Sequence, residues 1–175
     1  MTINTIEIID NALDKEAFDL IVSTVKSSFF SWYYKTESTQ KSSTMADTAD
    51  SYYGYQFTHM LYFDQVPMSE HFQNLMIPVL DKLNCFSLVR MSVNFMPPMQ
   101  ESKLQGFHTD SPTICKSAIL YLNTNNGKTV FQNGEEIESV ANRLVVFDSN
   151  LEHSGMTTTD LCGRYVLNVL FFPRW

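Results

Sequence analysis

Cysteine is scarce. Three residues (Cys85, Cys115 and Cys162) lie far apart in 175, with no CxxC pair, so neither a disulfide framework nor a thiolate metal site is expected. They predict reduced thiols in a cytoplasmic protein. Long apolar runs are missing too: none approaches the roughly 18 residues needed to cross a bilayer, and no membrane association is predicted. The opening residues Met1-Thr2-Ile3-Asn4 lack a basic start and an apolar stretch, so no secretory leader is expected. Basic residues are outnumbered, 12 Lys and Arg against 19 Asp and Glu, for a net charge of −7. That balance opposes a generic phosphate-backbone binder, and no nucleic-acid partner is expected. Glycine and proline number only six each, without a linker or an internal repeat, which predicts one domain. A GxGxxG loop, a P-loop lysine motif and a GxSxG elbow are all absent.

What the chain has in excess is aromatic surface: 13 Phe, 8 Tyr and 2 Trp. Such residues suit broad, half-buried pleated sheets. A short strand is expected over Ile6–Asp10. An amphipathic helix is expected from Asp14 as N-cap to about Ser27, with Phe18, Ile21, Val22 and Val25 on one face. A second should run from Ser69, as cap, to Leu83, kinked or split at Pro78. Period-two alternation predicts strands over Tyr53–Phe63 and Arg90–Met96. Others are expected at Ser117–Leu122, Lys128–Phe131, Ile137–Val140, Arg143–Phe147 and Arg164–Phe172, with tight turns at Asn126-Gly127 and Asn133-Gly134. Two helices followed by many antiparallel strands argue for an α+β, mainly β fold built on a sandwich or jelly-roll barrel. The polar stretch 35–50 fits no element and reads either as a surface loop or as a mobile loop closing over a site.

Of four histidines, His71 reads as solvated and His59 as a satisfied core or barrel-lining residue. Cys115, without a partner triad, reads as a small buried hydrophobe. His108 differs because Asp110 follows in Gly106-Phe107-His108-Thr109-Asp110, and in extended chain residues i and i+2 project to one side. An imidazole nitrogen and a carboxylate oxygen can then meet one metal. His153 follows the apolar strand Leu144–Phe147 and supplies a third ligand. Two histidines and one carboxylate with open positions describe a non-haem Fe(II) triad. Arg90, Ser92, Asn94 and Met96 share one face of their strand, which could serve a pocket or face solvent.

From about Met91 to Phe172 the chain resembles the 2-oxoglutarate/Fe(II)-dependent dioxygenases, nearest in pattern to the prolyl 4-hydroxylase-like branch. The motif is HxD, a long gap, His, then a strand-borne Arg, met here by His108, Asp110, His153 and Arg164, with Tyr121-Leu122-Asn123 as a further match. The resemblance implies a double-stranded β-helix (jelly-roll, cupin-like) with two or more supporting N-terminal helices. A single domain 1–175 would divide into a helix-rich support, 1–85, and a jelly-roll catalytic core, 86–175. It implies Fe(II) on His108, Asp110 and His153, and 2-oxoglutarate with its distal carboxylate on Arg164 and Tyr121. O2 is then the second co-substrate and ascorbate a reductant. Asn94, with Arg90, would meet cofactor or substrate. Asn168, on the face of Arg164, would meet 2-oxoglutarate, its neighbours or water. The tyrosine that relatives carry near Met96 is replaced by Met96 itself, or by Phe95 if the register slips by one.

The activity so implied is hydroxylation of a C–H bond in a peptide or small molecule, with peptidyl or free proline the substrate indicated and succinate as co-product. Two alternatives use the same ligands: a zinc-dependent hydrolase, and a cupin-like module that binds a ligand without turnover. Nothing in the chain specifies an oligomeric state.

Overall fold

The computed structural model describes residues 6–36 and 54–174. The candidate closing loop, 35–50, lies outside the described residues from 37 onward. In chain order the elements are β1 (Glu7–Ile9), α1 (Lys15–Val25), β2 (Tyr33–Lys35), β3 (Gln56–Phe63), β4 (Val66–Pro67) and α2 (Phe72–Lys82). They continue with β5 (Cys85–Met96), β6 (Lys116–Tyr121), β7 (Lys128–Phe131), β8 (Glu136–Glu138), β9 (Leu144–Asp148), β10 (His153–Met156) and β11 (Arg164–Pro173).

All strand pairs are antiparallel. The large sheet runs β1-β9-β6-β11-β5-β3-β2, with β4 beside β3, and the small sheet runs β10-β7-β8. After β6 the chain passes back and forth between the sheets, with β7 and β8 in the small one, β9 in the large, β10 in the small and β11 in the large, the winding of a double-stranded β-helix. The fold is α+β and mainly β, with two helices among the described residues.

The large sheet separates two cores. On its outer face Met91, Val93, Ala118, Leu120, Leu167 and Val169 pack under the helices with Ile21, Val25, Leu75 and Val79. On its inner face Met96, Ile119, Tyr121, Val145, Phe147 and Val166 meet Phe131 and Ile137 of the small sheet. Register ties this partition to β5 and β11: Met96 lies opposite Arg164, Asn94 opposite Val166, Ser92 opposite Asn168 and Arg90 opposite Leu170. The polar face read from the sequence is therefore an inner face.

Helix α1 starts as expected, Asp14 accepting from the Ala17 amide at 2.8 Å. Helix α2 departs from expectation at its cap, and of the two outcomes expected at Pro78 it excludes the split. It begins at Phe72 with His71 at the cap position and no side-chain cap bond. Ser69 instead accepts from the His71 amide at 3.1 Å and pairs with His59 Nε2 at 2.7 Å. The helix also runs through Pro78 without interruption. Asn74, whose carbonyl loses its donor there, lies on the exposed side, where solvent can replace it. His71 is half-buried against Phe30, at 5.2 Å between ring centroids, rather than solvated. His59 is buried and satisfied as expected, its Nδ1 2.6 Å from the Ser31 carbonyl.

Asn133-Gly134 makes the expected hairpin, with Gly134 at φ +88°. Asn126-Gly127 lies in a connection of another kind: β6 and β7 belong to different sheets, so the chain crosses between layers there. Its glycine answers to space. A Cβ on Gly127 would stand 2.8 Å from Arg164 Cδ and 2.8 Å from the Met156 carbonyl.

Candidate metal centre and the buried arginine behind it

His108 and His153 are brought together by their own backbones. Each donates its amide to the other's carbonyl at 3.0 Å, an isolated antiparallel bridge that puts the ring centroids 4.5 Å apart. Ligand atoms of His108, Asp110 and His153 all lie within 4.8 Å of one another. The His153 Nε2 is 3.7 Å from Asp110 Oδ2.

Each part of this cluster is oriented by a neighbour. His153 Nδ1 lies 2.9 Å from the Leu151 carbonyl, which makes Nδ1 the protonated nitrogen and leaves Nε2 as a lone-pair donor. His108 Nδ1 is held loosely in the same way, 3.5 Å from the Gly106 carbonyl. Asp110 accepts from Ser117 Oγ at 2.6 Å on Oδ2 and from Arg90 Nη2 at 3.2 Å on Oδ1. Behind His153 stand Phe147 and Phe131, themselves edge-to-face at 5.0 Å, and these rings keep water from that side.

Protonation suits a cation. Burial first, and then the charge of His153, hold the His108 imidazole down to about 4, so it is a neutral donor near neutral pH. Burial pushes the Asp110 carboxyl up, but His153, the Ser117 hydroxyl, His108 and Arg90 together outweigh it and hold it below the usual carboxylate range. Neutral imidazoles and an ionised carboxylate are the states a divalent metal requires. The residues fit a first-row ion that takes mixed nitrogen and oxygen donors.

Arg164 lies deeper. It is 3% exposed. Its Nε donates to Ser139 Oγ at 3.0 Å and its Nη2 to Thr129 Oγ1 at 3.0 Å. Nη1 finds only Met96 Sδ at 3.9 Å. The guanidinium forms no ion pair among the described residues. Burial lowers its pKa, with Tyr121 opposing, but a guanidinium stays protonated, so it is a buried cation without a counter-anion among the described residues.

Tyr121, fully buried, has its ring 5.4 Å from the Arg164 Cζ, and its hydroxyl donates to Thr129 Oγ1 at 2.7 Å. It braces the threonine that also receives Arg164. Asn94 faces inward from β5, accepting from Thr58 Oγ1 at 2.8 Å. Asn168 is half-buried on the same inner face, between Ser92 and Ile119, and makes no side-chain hydrogen bond among the described residues. Met96 occupies the place beside Arg164 without a register slip, since Phe95 points outward and stacks on Tyr165 at 4.3 Å. Cys115 is buried, as expected.

Two rows cross the small sheet on its inner face. His108, His153 and Phe131 form one, and Gln105, Gly155 and Thr129 the other, two residues further along β10. Strand geometry sets such rows about 7 Å apart. The metal-ligand cluster therefore stands one row from the hydroxyl that receives Arg164.

The sequence matches no protein-family model and no curated protein. Solved structures do match. A Pseudomonas putida prolyl-4-hydroxylase shares 16% identity over 98% of this chain and 94% of its own, with a TM-score of 0.55. A Trichoplax adhaerens prolyl hydroxylase, solved with a hypoxia inducible factor oxygen degradation domain peptide fragment, gives 16%, 97%, 84% and 0.61. The chain has the fold of the 2OG-Fe(II) oxygenases. The epimerase SnoN, solved with Fe3+, alpha ketoglutarate and nogalamycin RO, extends the likeness at 8% identity over 97% of this chain and 79% of its own, with a TM-score of 0.66.

Ser117, Thr129, Ser139 and Gln105 were not anticipated. Each is a short or neutral polar residue in an otherwise apolar strand or loop. Only the inward phase of Thr129 and Ser117, once the strands are placed, could have flagged them.

Proposed function

We propose that this protein is an Fe(II)- and 2-oxoglutarate-dependent dioxygenase that hydroxylates a C–H bond. The observation that carries this reading is Arg164: a buried cation without an anion among the described residues, one strand row from the His108, Asp110 and His153 cluster. A dicarboxylate that chelates a metal with its 2-oxo acid end and extends its far carboxylate inward would answer both needs. When bound, iron with 2-oxoglutarate and O2 would supply the oxidising power, converting the 2-oxo acid to succinate and CO2.

The chain's own residues do the rest. His108, Asp110 and His153 hold the ion. Ser117 and Arg90 fix the carboxylate, whose Oδ2 lies 3.7 Å from His153 Nε2. Arg164 receives the distal carboxylate, and a planar guanidinium meets it with two parallel N–H donors. Tyr121, through Thr129, keeps that guanidinium aimed. Phe131 and Phe147 exclude water from the His153 side. Asn168 and Asn94 are assigned to the open side of the pocket, as contacts for the co-substrate or substrate. Ascorbate would serve as an external reductant, and a reducing, cytoplasmic setting accords with three free cysteines. For substrate we favour peptidyl or free proline, since two of the structural neighbours are prolyl hydroxylases and one was solved with a peptide.

The test is anaerobic protein loaded with Fe(II) and 2-oxoglutarate, exposed to O2 with proline-containing peptides and free amino acids, reading succinate and hydroxylated product. Succinate formation that His108→Ala removes is the expected result. Tight Fe(II) binding and undiminished succinate production in that variant would overturn the assignment.

A further inference from the structure

One buried polar side chain on the inner wall has no partner among the described residues. Gln105 is 6% exposed, yet its side-chain amide makes no hydrogen bond among the described residues. Its backbone is tied into the small sheet: the amide donates to the Gly155 carbonyl at 2.8 Å and the carbonyl accepts from Ser154 Oγ at 2.6 Å. Backbone anchoring leaves the side chain little choice but to point inward over Gly155. Burying a primary amide unpaired costs about 1–3 kcal/mol, so such a group marks a place where a ligand completes the bonding.

Gly155 shows where that place is. A Cβ there would stand 2.5 Å from Gln105 Oε1 and 3.7 Å from Arg164 Nη1. Its φ is not in the left-handed region, so glycine serves space, not conformation. The amide and the one guanidinium nitrogen that lacks an oxygen partner thus flank the same opening. The amide atom turned toward it is Oε1; a half-turn of the terminal amide puts the Nε2 N–H there instead, beside the Nη1 donors, for which Met96 Sδ is only a weak acceptor.

We propose that Gln105 is a binding residue of the co-substrate pocket, its amide N–H donating to the same distal carboxylate that Arg164 receives. This deepens the reading above and rests on it. Arg164 supplies charge, and Gln105 supplies a neutral donor from the opposite sheet, so the carboxylate is gripped from both layers of the barrel. Selection for a dicarboxylic 2-oxo acid over a monocarboxylic one then depends partly on Gln105.

The experiment uses the full chain with Mn(II) in place of iron, so that no turnover occurs, and measures 2-oxoglutarate and 2-oxobutyrate binding by calorimetry. For Gln105→Leu the expected result is a 2-oxoglutarate affinity weaker by about 10- to 100-fold, the range for one hydrogen bond to a charged acceptor. Affinity for 2-oxobutyrate, which has no distal carboxylate, should be unchanged. Gln105→Glu keeps the size and adds a like charge, so it should weaken 2-oxoglutarate further still. That variant carries the test if Gln105→Leu folds poorly. Equal 2-oxoglutarate affinity in wild type and both variants overturns the proposal, as does an equal loss for both 2-oxo acids, which would mark a structural role. If the wild type binds no 2-oxoglutarate at all, the co-substrate reading itself fails, an outcome distinct from either.

Discussion

Arg164→Met separates a ligand-binding arginine from a structural one. Methionine keeps much of the stem's volume and removes the charge and the donors to Ser139 and Thr129. Two charge-assisted hydrogen bonds to a carboxylate are together worth about 3–6 kcal/mol, so 2-oxoglutarate affinity should fall by at least about 100-fold. At a concentration 100 times the wild-type Kd, bound ligand stabilises the wild type by about 2.7 kcal/mol. For a chain of this size that raises Tm by about 5–10 °C. At the same concentration the variant stands near its own Kd, and the gain shrinks to about 0.4 kcal/mol, roughly 1 °C. Without ligand the sign changes. The wild type carries a buried cation without an anion, and its removal should leave stability within about 1 kcal/mol of wild type or raise it. Thermal melts of the Mn(II)-loaded proteins with and without 2-oxoglutarate measure both effects. A full ligand-induced shift in the variant refutes the carboxylate assignment. A ligand-free variant that loses several kcal/mol refutes the claim that the cation is uncompensated. Arg164→Lys should retain part of the shift, because an ammonium keeps the charge but not the two parallel donors.

Three further outcomes are expected. The unfolded chain takes up the His108 proton near the ordinary value of 6.5, the folded metal-free chain only near 4. Stability of the metal-free protein should therefore be full above pH 6.5, decline as pH falls through that window, and lose at most about 3 kcal/mol by its lower end. Urea melts that are flat across it would contradict this. Gly127→Ala should cost about 1–3 kcal/mol and weaken 2-oxoglutarate binding together, since the new methyl group meets both the Arg164 stem and the Met156 carbonyl; a melt combined with a ligand titration checks this. Asn142→Ala should cost about 2–3 kcal/mol without touching ligand affinity. It removes the side chain that accepts from the Leu13 amide at 3.0 Å and donates to the Leu13 carbonyl at 2.8 Å, tying the chain before α1 to the β8–β9 turn. A urea-melt change under 0.5 kcal/mol would count against that role.

What could be read from the sequence follows the physics of periodicity. β5 and β11 are long, so their period-two pattern sorts their residues into two faces; that Arg164, Asn168 and Asn94 serve one pocket is what the resemblance to the oxygenases implies. The His108–Asp110 pair was legible because an HxD spacing constrains two side chains to one side of an extended chain. β10 was not, because His153-Ser154-Gly155-Met156 has neither alternation nor β-branched residues; its pairing with β7 and the 104–108 segment makes it a strand. β2 and β4 are too short to show a pattern. Asn126-Gly127 and Asn133-Gly134 read alike as tight turns, because a dipeptide carries no information about which sheet the next strand joins. Gln105 was invisible for a different reason. An amide becomes informative only when its surroundings show that nothing satisfies it.

The bridge between His108 and His153 has a further consequence. An ion held by both imidazoles clasps two points with four strands of chain between them, and that loop must close before the clasp exists. Metal binding thus stabilises the folded chain by mass action, because the unfolded chain, with the two imidazoles far apart along it, offers the ion no such site. All three cysteines are free. In a chain without a disulfide among its described residues, the ion that performs the chemistry would also be its staple.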